Sequence, residues 1–481
     1  MKPNTNSNRA SFWQLFGFAG NNAATNALFV ILGSFFLAYA TAIYGIDAWV
    51  AGLVMALTRI FDAITDPIIG VMVDRTDTKL GRFRPWIIAG SLLSNVMFII
   101  LFAGIDLGSY AANLMFLILI YIIWVIGYTF QTSISKAGQN VMSSDAKQRT
   151  TLNAISGLFT MIVFMVGLIL FPQIVGEENA GDRSAWLTLI FVMVGLQLLL
   201  TTMALMGIWK RDIPENYNIG TTQEKPNAKD YLALFKSNRA LQMLIVAAST
   251  NKITLTIGQG LLVFFYAYVV KDLDLQSSVT PTTIIFMLIA TFSVLAYTNK
   301  VGRKKSFTIL SIGAFIWGLL AIFIVPIAPA SFLLLVLVLG INSYFMGGTD
   351  LNVIPMIADA VDYENYNTGR FIPGMIGTAF SFIDKLVSSL GNVISGALLS
   401  ILGFVSLTET EPSPMLFWGI LIAYFAFPAL GHLASVIAMK WYPIDNEFME
   451  TMRIELEERR QQKLAKEVMP EEFALENELE L

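Results

Sequence analysis

The chain has 481 residues, of which 55% are hydrophobic and only 14% charged, with a mean hydropathy of +0.64; soluble domains run at roughly 25% charged, so the balance describes a helical protein that crosses a membrane many times. The absence of cysteine excludes a disulfide framework, a thiolate metal site and a cysteine nucleophile, and with one histidine, no phosphate-cradling loop and no large extramembrane stretch the chain does not read as an enzyme. The formal charge of −4 comes from residues 442–481, which hold 12 of the 35 acidic groups and 5 of the 31 basic ones; the basic residues elsewhere read as topology signals, and nucleic-acid binding is not implied.

In chain order, a polar start at residues 1–10 leads straight into an apolar run too long for a cleavable signal. Spanning segments follow at 13–44, 48–73, 86–106, 111–141, 149–174, 185–209, 240–270, 280–299, 306–328, 331–358, 373–403 and 413–440. The expected architecture is an all-α membrane protein of twelve transmembrane helices in two six-helix halves, at 1–209 and 240–441. A polar linker loop occupies 210–239, and a charged tail, helix-prone and then acidic, occupies 442–481. Gly81, Arg82, Phe83 and Arg84 after the second span recur as Gly302, Arg303, Lys304 and Lys305 after the eighth, which is the mark of parallel repeats. Lysine and arginine gather in alternate loops, so both termini are expected in the cytoplasm and the protein in the inner membrane. The lone His432 lies in the last span and reads as a packed core residue.

The second span carries the most chemistry. Arg59, Asp62 and Asp66 fall at i, i+3 and i+7, with Thr58 four before Asp62, so one helix face holds a hydroxyl, a guanidinium and two carboxylates. Pro67 has no N–H for the Ala63 carbonyl, which leaves a further oxygen free nearby. Hard oxygen ligands in a low-dielectric place suit Na⁺ or a transported proton. Read structurally, the same residues would be a salt-bridge cluster locking two helices, but one guanidinium cannot neutralise both acids.

Other charged residues inside spans are Lys136, Lys252, Asp350, Asp384 and Lys385, and intramembrane ionisable groups point to function. Asp384 and Lys385 project about 100° apart; Lys385 is expected to reach across a central cavity to an acid of the second span. In the fourth span Thr129, Thr132 and Lys136 share a face, with Thr129 a further cation ligand and Tyr128, Thr132 and Lys136 facing solute. Asn21, Asn22 and Asn26 of the first span, with Lys252, Asp350 and Lys385, complete the expected solute site.

Asp62-Ala63-Ile64-Thr65-Asp66-Pro67, then Gly81-Arg82-Phe83-Arg84-Pro85-Trp86, and Ala358-Asp359-Ala360-Val361-Asp362-Tyr363 after the tenth span together resemble the glycoside-pentoside-hexuronide:cation symporters, the melibiose permease family of the major facilitator superfamily. The resemblance covers nearly the whole chain. It implies a Na⁺ or H⁺ site at Asp62, Asp66 and Thr129, a matching lysine at Lys385, and a cytoplasmic gate at Arg82, Arg84, Asp359 and Asp362. The implied activity is cation-coupled import of a sugar, glycoside or hexuronide by alternating access. No cofactor is expected beyond the co-transported ion, and the partners are the solute, a monovalent cation and the bilayer around a monomer. The melibiose permeases' carboxylates on the first and fourth spans align with Ala24 and Thr132, and their arginine on the fifth has no counterpart. Lys136 and Lys252 are instead cations near the expected cavity and add weight to an anionic solute such as a hexuronide beside the neutral sugars. The alternative is a membrane solute sensor or partner protein of the same fold that does not transport.

Overall fold

The computed structural model describes residues 9–143, 145–214, 217, 228–408, 410–459 and 461–462. Among the described residues the secondary structure is helical, and twelve helices are long and apolar enough to cross a membrane. In order they are α1 (Phe12–Tyr44), α2 (Ala48–Asp74), α3 (Arg84–Phe102), α4 (Tyr110–Met142), α5 (Ala146–Ile174) and α6 (Arg183–Ile208). A short helix, α7 (Ala228–Ser237), precedes α8 (Arg239–Phe264), which runs on through a π-helical turn at Phe265–Val270. Then come α9 (Leu275–Val301), α10 (Arg303–Ile324), α11 (Phe332–Thr368), α12 (Pro373–Ile401) and α13 (Pro414–Trp441).

Local chemistry explains the boundaries. Ser11 and Gln14 close a capping box on α1, and the serines or asparagine at 109, 238, 331 and 413 each accept a backbone N–H at the start of α4, α8, α11 and α13. Gly45 ends α1 at φ +60°, a conformation that favours glycine. Hydropathy places the end of the tenth span at 358, yet α11 runs on to Thr368. Its extra turns carry acids with partners: Asp359 pairs with Arg303, and Glu364 accepts from Asn238 at 3.1 Å and Arg370 at 3.1 Å.

The structure changes the reading of the linker and adds contacts to the tail. The stretch 210–239 is not loop throughout, because α7 buries Leu234 beneath α8 and α12; residues 215, 216 and 218–227 lie outside the described residues. The tail forms a helix over 446–459 that is not solvated all round. Met452 is buried, Phe448 packs on Tyr363 and Tyr366 at 5.9 and 5.6 Å, and Arg459 donates to the Tyr366 carbonyl at 2.8 Å. Residues 463–481 lie outside the described residues.

Helices α1–α6 pack on one another, as do α8–α13, and the two groups meet where α2 lies along α12, α5 along α9 and α1 along α8. The closest approaches are at the end that carries the Gly45 turn. A Cβ on Gly52 would strike the Asn392 carbonyl, and one on Gly396 would strike that of Ala48. Nearby, the Trp49 N–H donates to Ser400 Oγ at 3.1 Å, and Gln276 Nε2 donates to the Leu168 carbonyl at 3.1 Å. Small residues let these backbones touch where no hydrophobic force drives helices together in lipid.

Candidate cation and solute site

Helical spacing puts Thr58, Arg59, Asp62 and Asp66 on adjoining faces of α2, opposite α4 and α12. Asp62 is 2% exposed and accepts three hydrogen bonds: from Arg59 Nη1 at 3.1 Å, Thr129 Oγ1 at 2.8 Å and Lys385 Nζ at 2.8 Å. Asp66 is more open and accepts from Lys385 Nζ at 2.5 Å. One ammonium therefore bridges two carboxylates that belong to another helix. Two acids meet two cations, so the group is neutral as a whole. Removing one member of such a buried set leaves an uncompensated charge, at a cost of roughly 3–5 kcal/mol.

The oxygens around Lys385 Nζ form the donor set that a small cation requires. Asp62 and Asp66 supply two charged ligands and Thr129 a hydroxyl, whose proton is shared between Asp62 and the Val125 carbonyl at 2.8 Å each. Thr58 turns its hydroxyl proton to the Val54 and Met55 carbonyls, at 2.9 and 3.0 Å, so its oxygen retains acceptor capacity beside the cavity. Lys385 Nζ occupies the place between these oxygens, so a cation that took them would have to compete with the ammonium.

Beside this cluster is a cavity of about 250 Å³ between the two groups of helices. Arg59 and Lys252 enter it from opposite sides, and its remaining polar lining includes Asn26, Thr256, Gln259, Ser388 and Asn392. One wall is aromatic: Trp124 stacks on Tyr128 at 5.1 Å, Tyr128 on Phe29 at 5.9 Å, and the Arg59 guanidinium lies 5.1 Å over the Phe29 ring. Trp124 is buried, yet its indole N–H has no hydrogen-bond partner among the described residues. A buried donor is expected to find a partner, and a solute oxygen in the cavity would supply one. Flat apolar rings beside convergent polar groups suit a pyranose.

The structure sorts the other expected residues. Asn21 is fully buried and donates to the Gln131 carbonyl at 3.1 Å and Ser135 Oγ at 2.7 Å, where it ties α1 to α4 away from the cavity wall. Asn22 donates to Thr160 Oγ1 of α5 at 3.1 Å, and Thr132 bonds back to the Thr129 carbonyl at 3.3 Å. Asn26 lines the cavity. Lys136 is exposed and outside the lining. Lys252 is within electrostatic range of Asp350 and Asp384.

The four residues expected at a gate form two separate sets. The backbone N–H groups of Arg82, Phe83 and Arg84 all donate to the Asp212 carboxylate at 3.0 Å, joined by Arg84 Nε at 3.3 Å. Tyr217 donates its hydroxyl to Asp212 at 2.7 Å, and burial followed by this bond pushes its phenol up to about 12. Asp359 pairs with Arg303, while Asp362 lies near Arg303 and Arg453. Arg82 and Arg84 thus belong to the first group of helices, and Asp359 and Asp362 to the second. Asp212 escapes sequence reasoning because nothing local marks its distant partners. Ser388 and Asn392 could have been found, at one and two turns beyond Asp384.

A sequence family described as MFS/sugar transport protein matches residues 17–446. The chain belongs to this family. Within the MFS/sugar transport family, it is 25% identical to an uncharacterized symporter, YnaJ, of Bacillus subtilis, with 94% of this chain and 96% of that protein covered. It is 24% identical to the glucuronide carrier protein homolog of Escherichia coli, over 96% of this chain and 99% of that one. A solved structure described under substrate recognition in proton dependent oligopeptide transporters superposes with a TM-score of 0.63 at 14% identity, over 92% of this chain and 99% of that one. That likeness is one of fold.

Proposed function

We propose that this protein is a secondary symporter that couples the movement of Na⁺ or H⁺ to uptake of a sugar, glycoside or hexuronide by alternating access. The observation that carries the coupled ion is Lys385 Nζ held between Asp62 and Asp66 at 2.8 and 2.5 Å. An ion that displaces the ammonium frees α12 from α2, so ion binding and helix movement are linked in both directions. The solute is held in the cavity against Trp124 and Tyr128, with Arg59, Lys252 and Gln259 to orient it. Relatives named as a glucuronide carrier protein homolog, a raffinose carrier protein and a lactose permease support this solute class. The moving bodies are residues 1–209 and 240–441, joined through 210–239. The protein acts as a monomer in the inner membrane with both termini in the cytoplasm, and needs no cofactor beyond the ion it carries. Arg82, Arg84, Asp359 and Asp362 lie at the cytoplasmic ends and control opening there.

The test is uptake into sealed vesicles of lactose and of 4-nitrophenyl β-D-glucuronide, each under an inward Na⁺ gradient and then a proton gradient. Accumulation of either solute, driven by one gradient and lost when that gradient is collapsed, is expected. Saturable binding without accumulation would replace symport with solute sensing.

A further inference from the structure

α5 carries a proline two residues before its end. Pro172 is buried and has no N–H, so the carbonyl of Leu168, four residues earlier, lacks its partner within the helix. The missing donor comes from the other group of helices: Gln276 Nε2, in the first turn of α9, lies 3.1 Å from that carbonyl. Gln276 is 0% exposed. Its chain neighbours Leu273 and Val279, like Phe171 and Val175 on either side of Pro172, belong to one buried apolar cluster. Water is kept from the bond, which acts in a low-dielectric place. Gln276 Oε1 is buried with no hydrogen-bond partner among the described residues. The closed end thus gains one hydrogen bond and leaves one acceptor unmet, a small net hold that suits an end which must part in every cycle.

Parting α5 from α9 changes what the Leu168 carbonyl meets. While the Gly45 end is shut, Gln276 is the donor that serves it; once the end opens, water can take that place. We propose that Gln276 is a positioning residue for transport: it meets the carbonyl that Pro172 frees, and this one bond biases the Gly45 end toward its closed arrangement. A residue with an N–H at 172 pairs the carbonyl inside α5 whether the end is open or shut, and the amide then holds little. The inference rests on the proposed alternating access and names one contact that sets its balance.

The test is a double-mutant cycle on the full chain in lipid nanodiscs. The protein has no native cysteine, so spin labels at E178C and D274C, both exposed, one just beyond α5 and one just before α9, report the width of this end as a distance distribution. Q276M keeps the length of the side chain and removes the donor. It is expected to raise the ratio of open to closed about tenfold more in the Pro172 protein than in one that carries P172A, where Leu168 pairs with the new N–H. An equal shift in the two backgrounds, or no shift in either, overturns the proposal. So does a loss of thermal stability with an unchanged ratio, since Gln276 then only supports the fold. Q276L and P172S take the places of Q276M and P172A should either not fold. A wild type whose labels keep a single distance across pH, Na⁺, lactose and 4-nitrophenyl β-D-glucuronide overturns alternating access itself, whereas an end that opens without regard to residues 172 and 276 overturns this inference alone.

Discussion

Each acid of α2 meets a different environment, and the two should fail differently. Asp62 is buried among three donors, whereas Asp66 meets Lys385 and is partly open. Asp62→Asn should abolish ion-driven uptake and destabilise the protein by about 3–5 kcal/mol, because Arg59 loses its counter-charge; Asp66→Asn should abolish coupling with a smaller loss. Uptake in vesicles and thermal unfolding of the purified variants measure both. Lys385→Met should make stability depend on the ion, with the midpoint of unfolding rising as Na⁺ or H⁺ is added, since the acids then have no tethered partner. The shared direction of Arg59, Asp62 and Asp66 was legible because a 3.6-residue period converts spacing into direction, whereas Thr129, on α4, was joined to them through the family resemblance. Asn21 was not, because an amide that donates to a neighbouring helix looks the same in sequence as one that faces a solute.

At the scale of elements, the start of α3 depends on a carboxylate far away in the chain. Asp212 receives three backbone N–H groups and the Arg84 side chain, so Asp212→Ala should leave those donors unpaired and destabilise the first group of helices by about 1–3 kcal/mol. Tyr217 adds a pH signature. Its phenol is raised in the folded protein, so its contribution is present below its unfolded value near 10 and is lost as pH climbs toward about 12. Thermal unfolding across that window should fall more steeply in the wild type than in Tyr217→Phe. Helix number was readable from hydropathy, since a span must be apolar for about 20 residues. The surface ends of α11 and the whole of α7 were not, because outside the bilayer a helix needs only partners such as Arg303 for Asp359, which hydropathy does not count.

Across the whole molecule, the tightest contacts between the two groups of helices lie at the Gly45 end, where Gly52 and Gly396 admit facing backbones. Gly396→Val should force α2 from α12 and reduce uptake, while the absence of native cysteine makes a direct test clean. Cysteines placed at Trp49 and Ser400 should cross-link on oxidation and stop transport, and reduction should restore it; transport by the cross-linked protein would show that this end need not open. Lys385 also changes what an ion must do to engage the machine. On the proposed ion site, the ammonium is attached to the same molecule as the acids it bridges and would be a permanent rival of the ion, its strength fixed by the reach of its side chain and the separation of α2 and α12. The outside ion concentration at which transport begins is therefore a mechanical setting: anything that draws the two helices together raises the threshold, and anything that parts them lowers it.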